Sequence, residues 1–146
     1  MTLLVDPADE RSWAASRWLA SVELSRPIAL TLTMAPTQPG RRPARVALAA
    51  ADLVGGDGVR AVYEAYGRRR FVLGEADEGT AIADALTDAQ LPGFLAFAAD
   101  DRKWDAGLAP TSTEPLIVDG TPRRLPDLSG GPTGADAARL FDELGP

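Results

Sequence analysis

"VDPADERSWAASRWL", residues Val5 to Leu19, joins the end of an apolar run to the start of an amphipathic one. Upstream, Thr2 to Val5 reads as a short strand, and Asp6-Pro7 ends it because proline has no N–H to give to a ladder. Downstream, from Glu10 to about Ser25, Ala14, Trp18 and Val22 recur every fourth residue beside Ala15 and Leu19, which predicts a helix with one apolar face. Arg26-Pro27 stops it. The next run, "IALTLTM", alternates Ile28, Leu30, Leu32 and Met34 with Ala29, Thr31 and Thr33, the period-2 pattern of a strand. The chain therefore opens as β-α-β.

Beyond it, "APTQPGRRP" reads as a loop, and "ARVALAAADLV" as a helix terminated by Gly55-Gly56. A further helix begins near Gly58 with Val59, Val62, Tyr63 and Tyr66 on one face, followed by a basic turn, Arg68 to Arg70. Glu78 to Leu86 and Pro92 to Ala99 are predicted helical, with "DRKWDAGLA" another helical segment. After "PTSTEP", Leu116 to Val118 meets Asp119-Gly120, a hairpin signal, and Thr121 to Leu125 returns as an edge strand because of Pro122. Ala135 to Leu144 closes the chain as a helix, with Ala138, Phe141 and Leu144 available for packing. The order β-α-β, helical insertion, β-β-α is that of an α/β thioredoxin-like fold, with a core in 1–36 and 111–146 and an insertion in 37–110 of a single domain.

At 146 residues, 45% of them apolar, the chain suits one domain with its own core. It has no cysteine and no histidine, which excludes thiol–disulfide exchange by its own side chains, zinc sites of the Cys/His kind and Ser-His-Asp triads. No metal site is expected. A net charge of −6 and a pI near 4.6 argue against nucleic-acid binding, which wants clustered positive charge. "MTLLV" is not a basic stretch leading into a long apolar one, and no run approaches the length of a bilayer span, so a cytoplasmic location away from membranes is expected. "GGDG" lacks the Lys and the strand-to-helix setting of a phosphate loop.

The opening also resembles a known family. Asp6, Pro7, Trp13, Ser16, Arg17, Trp18, Leu19, Val22 and Glu23 match, without gaps, the pattern "FDPxCPWAWxxSRWLxEVE" of DsbA-like proteins typified by the mycothiol-dependent nitroreductases of actinobacteria. The far end, "EPLIVDGTPRRLPDLSGGPTGADAARLFDEL", is similar to that family too, while the insertion is similar only loosely and looks shorter. A more distant likeness is to kappa-class glutathione transferases and 2-hydroxychromene-2-carboxylate isomerases, which carry Ser for Cys and "SW" where this chain has Ser12-Trp13. Against the family's "CPWA", this chain has Asp9-Glu10-Arg11-Ser12, so the cysteine position is Asp9. The resemblance implies that Glu114-Pro115 is a cis bond packed against the helix start, that Glu114 faces Asp9, and that Arg123 lies near.

On that reading, Asp9, Glu114 and Ser12 are the candidate catalytic residues, and Arg11, Trp13, Tyr63, Tyr66, Pro115 and Arg123 the candidate substrate-binding ones. Two carboxylates in one cleft repel each other's charge, so one holds a proton while the other accepts one. Asp9, favoured as an anion at a helix N-terminus, is then the base, Glu114 the proton donor, and Arg11 or Arg123 the holder of an anionic substrate. Bland readings stand beside these. Asp9 serves equally as an N-cap, Ser12 as a small filler without a histidine to activate it, and Glu10 and Arg11 as solvated residues. Trp18 is expected in the core, with Trp13 open between core and site. Tyr63 and Tyr66 are either the buried face of their helix or hydroxyls reaching a ligand, and Arg68 to Arg70 either an anion site or a solvated turn.

Three functions fit: a cofactor-independent acid/base enzyme of isomerase, cyclase or lyase type acting on a small, specialised metabolite; a non-catalytic ligand- or partner-binding protein; or a transferase or isomerase assisted by bound mycothiol or glutathione. A small molecule is the expected partner, and a homodimer is an assembly open to the chain.

Overall fold

The computed structural model describes residues 1–112 and 114–145; Thr113, within "PTSTEP", and Pro146 lie outside them. Thr2–Val5 (β1) runs into Glu10–Glu23 (α1) and returns as Thr31–Met34 (β2), parallel to β1 with Leu3 opposite Leu32 and Val5 opposite Met34. Leu116–Asp119 (β3) pairs antiparallel with the other side of β1, Leu3 opposite Ile117, and Thr121–Arg124 (β4) pairs antiparallel with β3. The sheet order β2-β1-β3-β4 is the thioredoxin-like arrangement, with Pro122 on an edge strand where no neighbour needs its missing N–H. Gly120 turns the hairpin at φ 84°, a left-handed conformation natural to glycine.

Because side chains alternate along strands, the register puts Leu3, Val5, Leu32, Met34 and Ile117 on one face, all buried with Ala15, Trp18, Leu19 and Val22 of α1. The last helix, Gly134–Asp142, lies against α1, where the Trp18 indole N–H donates to the Ala137 carbonyl at 3.1 Å. Between β2 and β3 come Arg41–Val54 (α2), Asp57–Gly67 (α3) and Glu78–Asp88 (α4); the closing helix Gly134–Asp142 is α5. Two 3-10 segments follow α4, Gly93–Asp100 and Arg102–Gly107, where the sequence predicts ordinary helix. Among the described residues no helix is long and apolar enough to cross a membrane.

Several boundaries differ from the sequence pattern for identifiable reasons. β2 starts at Thr31, not Ile28, because the Leu30 N–H goes to the Glu23 carboxylate (3.3 Å) and the Ile28 N–H to the Arg26 carbonyl (2.8 Å). α2 starts at Arg41, three residues early, because Pro43 falls in the first turn, whose N–H groups have no helical partner to lose. Arg68 to Arg70 form no solvated turn. They continue α3 as a π-helical turn, Arg68–Val72, in which Arg69 forks Asp88 (2.7 Å twice) and Arg70 donates to the carbonyls of Glu75 and Ala76.

The insertion docks on the flank of α1 through a charged seam. Arg60 forks Glu23 at 2.6 and 3.0 Å and reaches Glu64 at 2.7 Å, while Arg17 reaches Glu64 at 2.9 Å. Hydrogen bonding to Arg60 holds the Glu23 carboxyl below the usual carboxylate range. A carboxyl whose folded pKa is depressed adds stability that is fully present above its unfolded value, roughly 4.3, and is lost as pH falls through the folded value. Glu23→Gln is therefore expected to lower stability at pH 7 yet to lose less than the wild type on acidification to pH 3. Urea midpoints at the two pH values measure this, and an equal fall in both proteins would dissociate Glu23 from the acid response.

Beside this seam, Trp13 tilts against Tyr63 (ring centres 6.2 Å apart) and Phe71 (6.3 Å), with the Arg17 guanidinium 4.9 Å from its ring centre. Gly67 admits the indole: a Cβ there would lie 2.2 Å from Trp13 Cε3. Gly67→Ala should thus destabilise despite alanine's helix propensity, because overpacking costs about 1–3 kcal/mol against a propensity gain of roughly 1. A raised urea midpoint in that variant would show the contact to be slack.

Candidate functional site

The site is assembled where β1 hands over to α1. Asp6 is buried, 5% exposed, and its carboxylate ties two turns together. Oδ1 accepts the Ala8 N–H at 3.0 Å, and Oδ2 accepts the Thr37 N–H at 3.0 Å and the Thr37 hydroxyl at 2.6 Å. Gly40 lies so close that a Cβ would sit 2.0 Å from Asp6 Oδ1. The Asp6 N–H in turn donates to Ser12 Oγ at 3.0 Å. Ser12 is 1% exposed, so the expectation of Ser12 as a reacting group gives way to a structural one: it closes the β1–α1 turn from inside.

Asp9 caps α1. Its Oδ1 accepts the Arg11 N–H at 2.9 Å, and the Arg11 guanidinium folds back on the same carboxylate, Nε to Oδ1 at 3.1 Å and a terminal nitrogen to Oδ2 at 2.8 Å. The pair keeps Arg11 charged above the ordinary guanidinium range, through the hydrogen bonds first and the Coulomb attraction second. Both oxygens of Asp9 are therefore occupied by its own neighbour.

Glu114 and Pro115 border a narrow crevice with Asp6, Asp9 and Ser12 that is too tight for a water molecule. The bond between them differs from expectation. No peptide bond among the described residues is cis, so Glu114-Pro115 is trans, and the loop reaches the helix start without isomerising. Arg123 does not join the site. Pairing puts Arg123 opposite the buried Ile117, and its guanidinium donates to the Gly145 carbonyl at 3.1 Å. Arg124, opposite Leu116, is the arginine on the Glu114 side, with Nε 3.3 Å from Oε1. Counting back from the Asp119-Gly120 turn would have assigned the two arginines their faces.

On the far side of Arg11 lies a cleft of about 520 Å³. Glu10, Arg11 and Ala14 of α1 form one wall, Glu114 and Pro115 the end, and residues 125–129 the other wall. Asp127 in this wall accepts the Ser129 N–H at 2.9 Å, and that bond followed by the Ser129 hydroxyl holds its carboxyl below the usual range. Asp127 and the 125–129 wall escaped the sequence reading, because nothing in "LPDLSGG" signals which strand end its loop will cover. A second cleft, about 670 Å³ between the end of α1 and α5, is spanned by the Arg26–Asp142 pair and brings no candidate residue with it.

Trp13, Tyr63 and Tyr66, expected to contact substrate, do not border the cleft. The insertion lies along α1 and not across its start, so α3 buries Tyr63 and Tyr66 to 2% and 3% exposure. Burial pushes both phenols up, Tyr66 to about 12. The Tyr63 hydroxyl has no hydrogen-bond partner among the described residues, the Ser16 hydroxyl being given to the Trp13 carbonyl at 2.8 Å. Trp18 is in the core, 1% exposed. Among the described residues no group of three or more metal-ligating side chains converges.

Comparison with known protein families matches residues 33–145 to the one described as Rv2466c-like, mycothiol-dependent nitroreductase Rv2466c. The match takes in the insertion, where the sequence likeness looked loose, and the closing β-β-α, while the opening stretch lies outside it. No curated protein matches the chain.

Proposed function

Since the chain belongs to the Rv2466c-like family of mycothiol-dependent nitroreductases yet contains no cysteine, we propose that it is a redox-inactive member that binds a small organic molecule beside α1. The cleft of about 520 Å³ carries this reading. It has the size of a small-molecule site, apolar walls in Ala14, Pro115, Leu125 and Leu128, and a few polar groups to orient a ligand. Its charge balance is negative, with Glu10 and Asp127 added to two ion pairs at its edge, Arg11 with Asp9 and Arg124 with Glu114. That balance favours a cationic or neutral ligand, the reverse of the anionic substrate expected from Arg11 and Arg123.

An isosteric series tests the reading: 2-phenylethylamine, 2-phenylethanol and phenylacetate, compared by calorimetry. A half-exposed charge contact contributes up to about 1 kcal/mol, so the amine should bind up to about fivefold tighter than the alcohol and the acid weakest. Phenylacetate binding tightest, or none of the three binding, would remove the support for a cleft of this character.

An acid/base enzyme is the second reading, favoured by one observation: Asp9 and Glu114 border the same crevice. It asks Asp9 to give up an occupied carboxylate, which is why binding is preferred. If the acid/base reading holds, Asp9→Asn and Glu114→Gln should each cost about 10²- to 10⁴-fold in turnover with folding intact.

A further inference from the structure

The thiol cofactor implied by the family does not fit the residues at the start of α1. A thiolate there would need the free N–H groups of the first turn and a neighbouring cation. Here the Asp9 carboxylate takes the Arg11 N–H and one edge of the Arg11 guanidinium, Nε and a terminal nitrogen, and the crevice it borders admits no water-sized molecule. We propose that the Asp9 carboxylate, held by Arg11, stands where a thiolate would sit, so that this protein excludes a thiol cofactor from the helix start.

The proposal does not rest on the ligand reading, because it concerns the crevice that Asp9 borders, whereas the ligand of that reading sits against Ala14 and residues 125–129. It explains why a side chain with a fixed charge occupies this position. Surroundings that accept an anion remain, Asp9 satisfies them, and no external thiol has to be captured. The aspartate side chain accepts the first-turn N–H of Arg11 that a neutral apolar residue would leave without a side-chain acceptor. Nothing in this arrangement calls for a redox step, and none is assigned.

Asp9→Cys makes the claim measurable, since it installs the only thiol of the chain. Its thiolate displaces iodide from iodoacetamide, forming one C–S bond as the C–I bond breaks, with the thiol proton lost to water. The pH midpoint of that reaction reports the surroundings. If they are built for an anion, the midpoint lies at least one unit below the value of about 8.5 for free cysteine, and adding Arg11→Gln raises it. A midpoint at or above the free value, or one indifferent to Arg11→Gln, overturns the proposal. Wild-type protein gives a second readout that needs no variant to fold: with N-acetylcysteine or mycothiol at millimolar concentration, the Arg11 backbone amide resonance should not move. A saturable shift of that resonance would also overturn the proposal.

Discussion

Trp18→Ala should bring the protein close to unfolding. The side chain is buried between the sheet face and α5, its indole N–H holds the Ala137 carbonyl, and its ring meets Phe141 at 6.3 Å. Removing a buried Trp costs about 3–5 kcal/mol, and the stranded carbonyl adds to that. Against a total of roughly 5–15 kcal/mol, this is a large share, and the thermal midpoint should fall by roughly 10–20 °C. Trp18→Phe should recover most of the loss, since it restores apolar volume and lacks only the donor. Circular-dichroism melts of both variants measure this; equal midpoints for Trp18→Ala and wild type would mean that α5 is anchored elsewhere.

Asp6→Ala ranks next, and it reverses the order that the motif suggests for the two aspartates. Asp9 stands at the position of chemical interest in the family pattern, but as a cap its replacement by alanine costs only about 1 kcal/mol, and Asp9→Asn keeps most of the capping. Asp6 is the buried one. Its removal leaves the N–H groups of Ala8 and Thr37 without acceptors, each costing about 1–3 kcal/mol, and lets the turn after β2 part from the turn before α1. Asp6→Asn should not rescue fully, because an amide matches one of its two faces with donor against donor. Urea denaturation of Asp6→Ala and Asp9→Ala side by side decides the ranking, and a larger loss in Asp9→Ala would contradict it.

The fold was legible because the period-2 runs around Leu3, Leu32 and Ile117 and the helical run through Trp18 are local patterns that tertiary packing did not override. Gly55, the Asp119-Gly120 turn and Pro122 act where their backbone chemistry says they should. What escaped was relational. Nothing near Asp6 announces that Thr37, thirty-one residues on, supplies two of its donors, and nothing near Ser12 announces that a backbone N–H will claim its hydroxyl. Tyr63 and Tyr66 had the right period for a buried face; assigning them to a ligand required the insertion to cross the helix start, and its seam through Arg60, Glu23 and Glu64 holds it to the side. Asp9 carried both readings in sequence, and its geometry is that of the cap.

The most direct test of the ligand reading fills the cleft. Ala14 lies on the α1 wall and is partly exposed, so Ala14→Phe projects a ring into the cleft without entering the core. The measurement is the calorimetric Kd of 2-phenylethylamine for wild type and Ala14→Phe, with thermal midpoints confirming that both are folded. A ligand seated between α1 and residues 125–129 predicts binding by the wild type and at least about tenfold weaker binding, a loss of some 1.4 kcal/mol, in the variant. An unchanged Kd in a folded Ala14→Phe protein would place the ligand elsewhere and contradict the account.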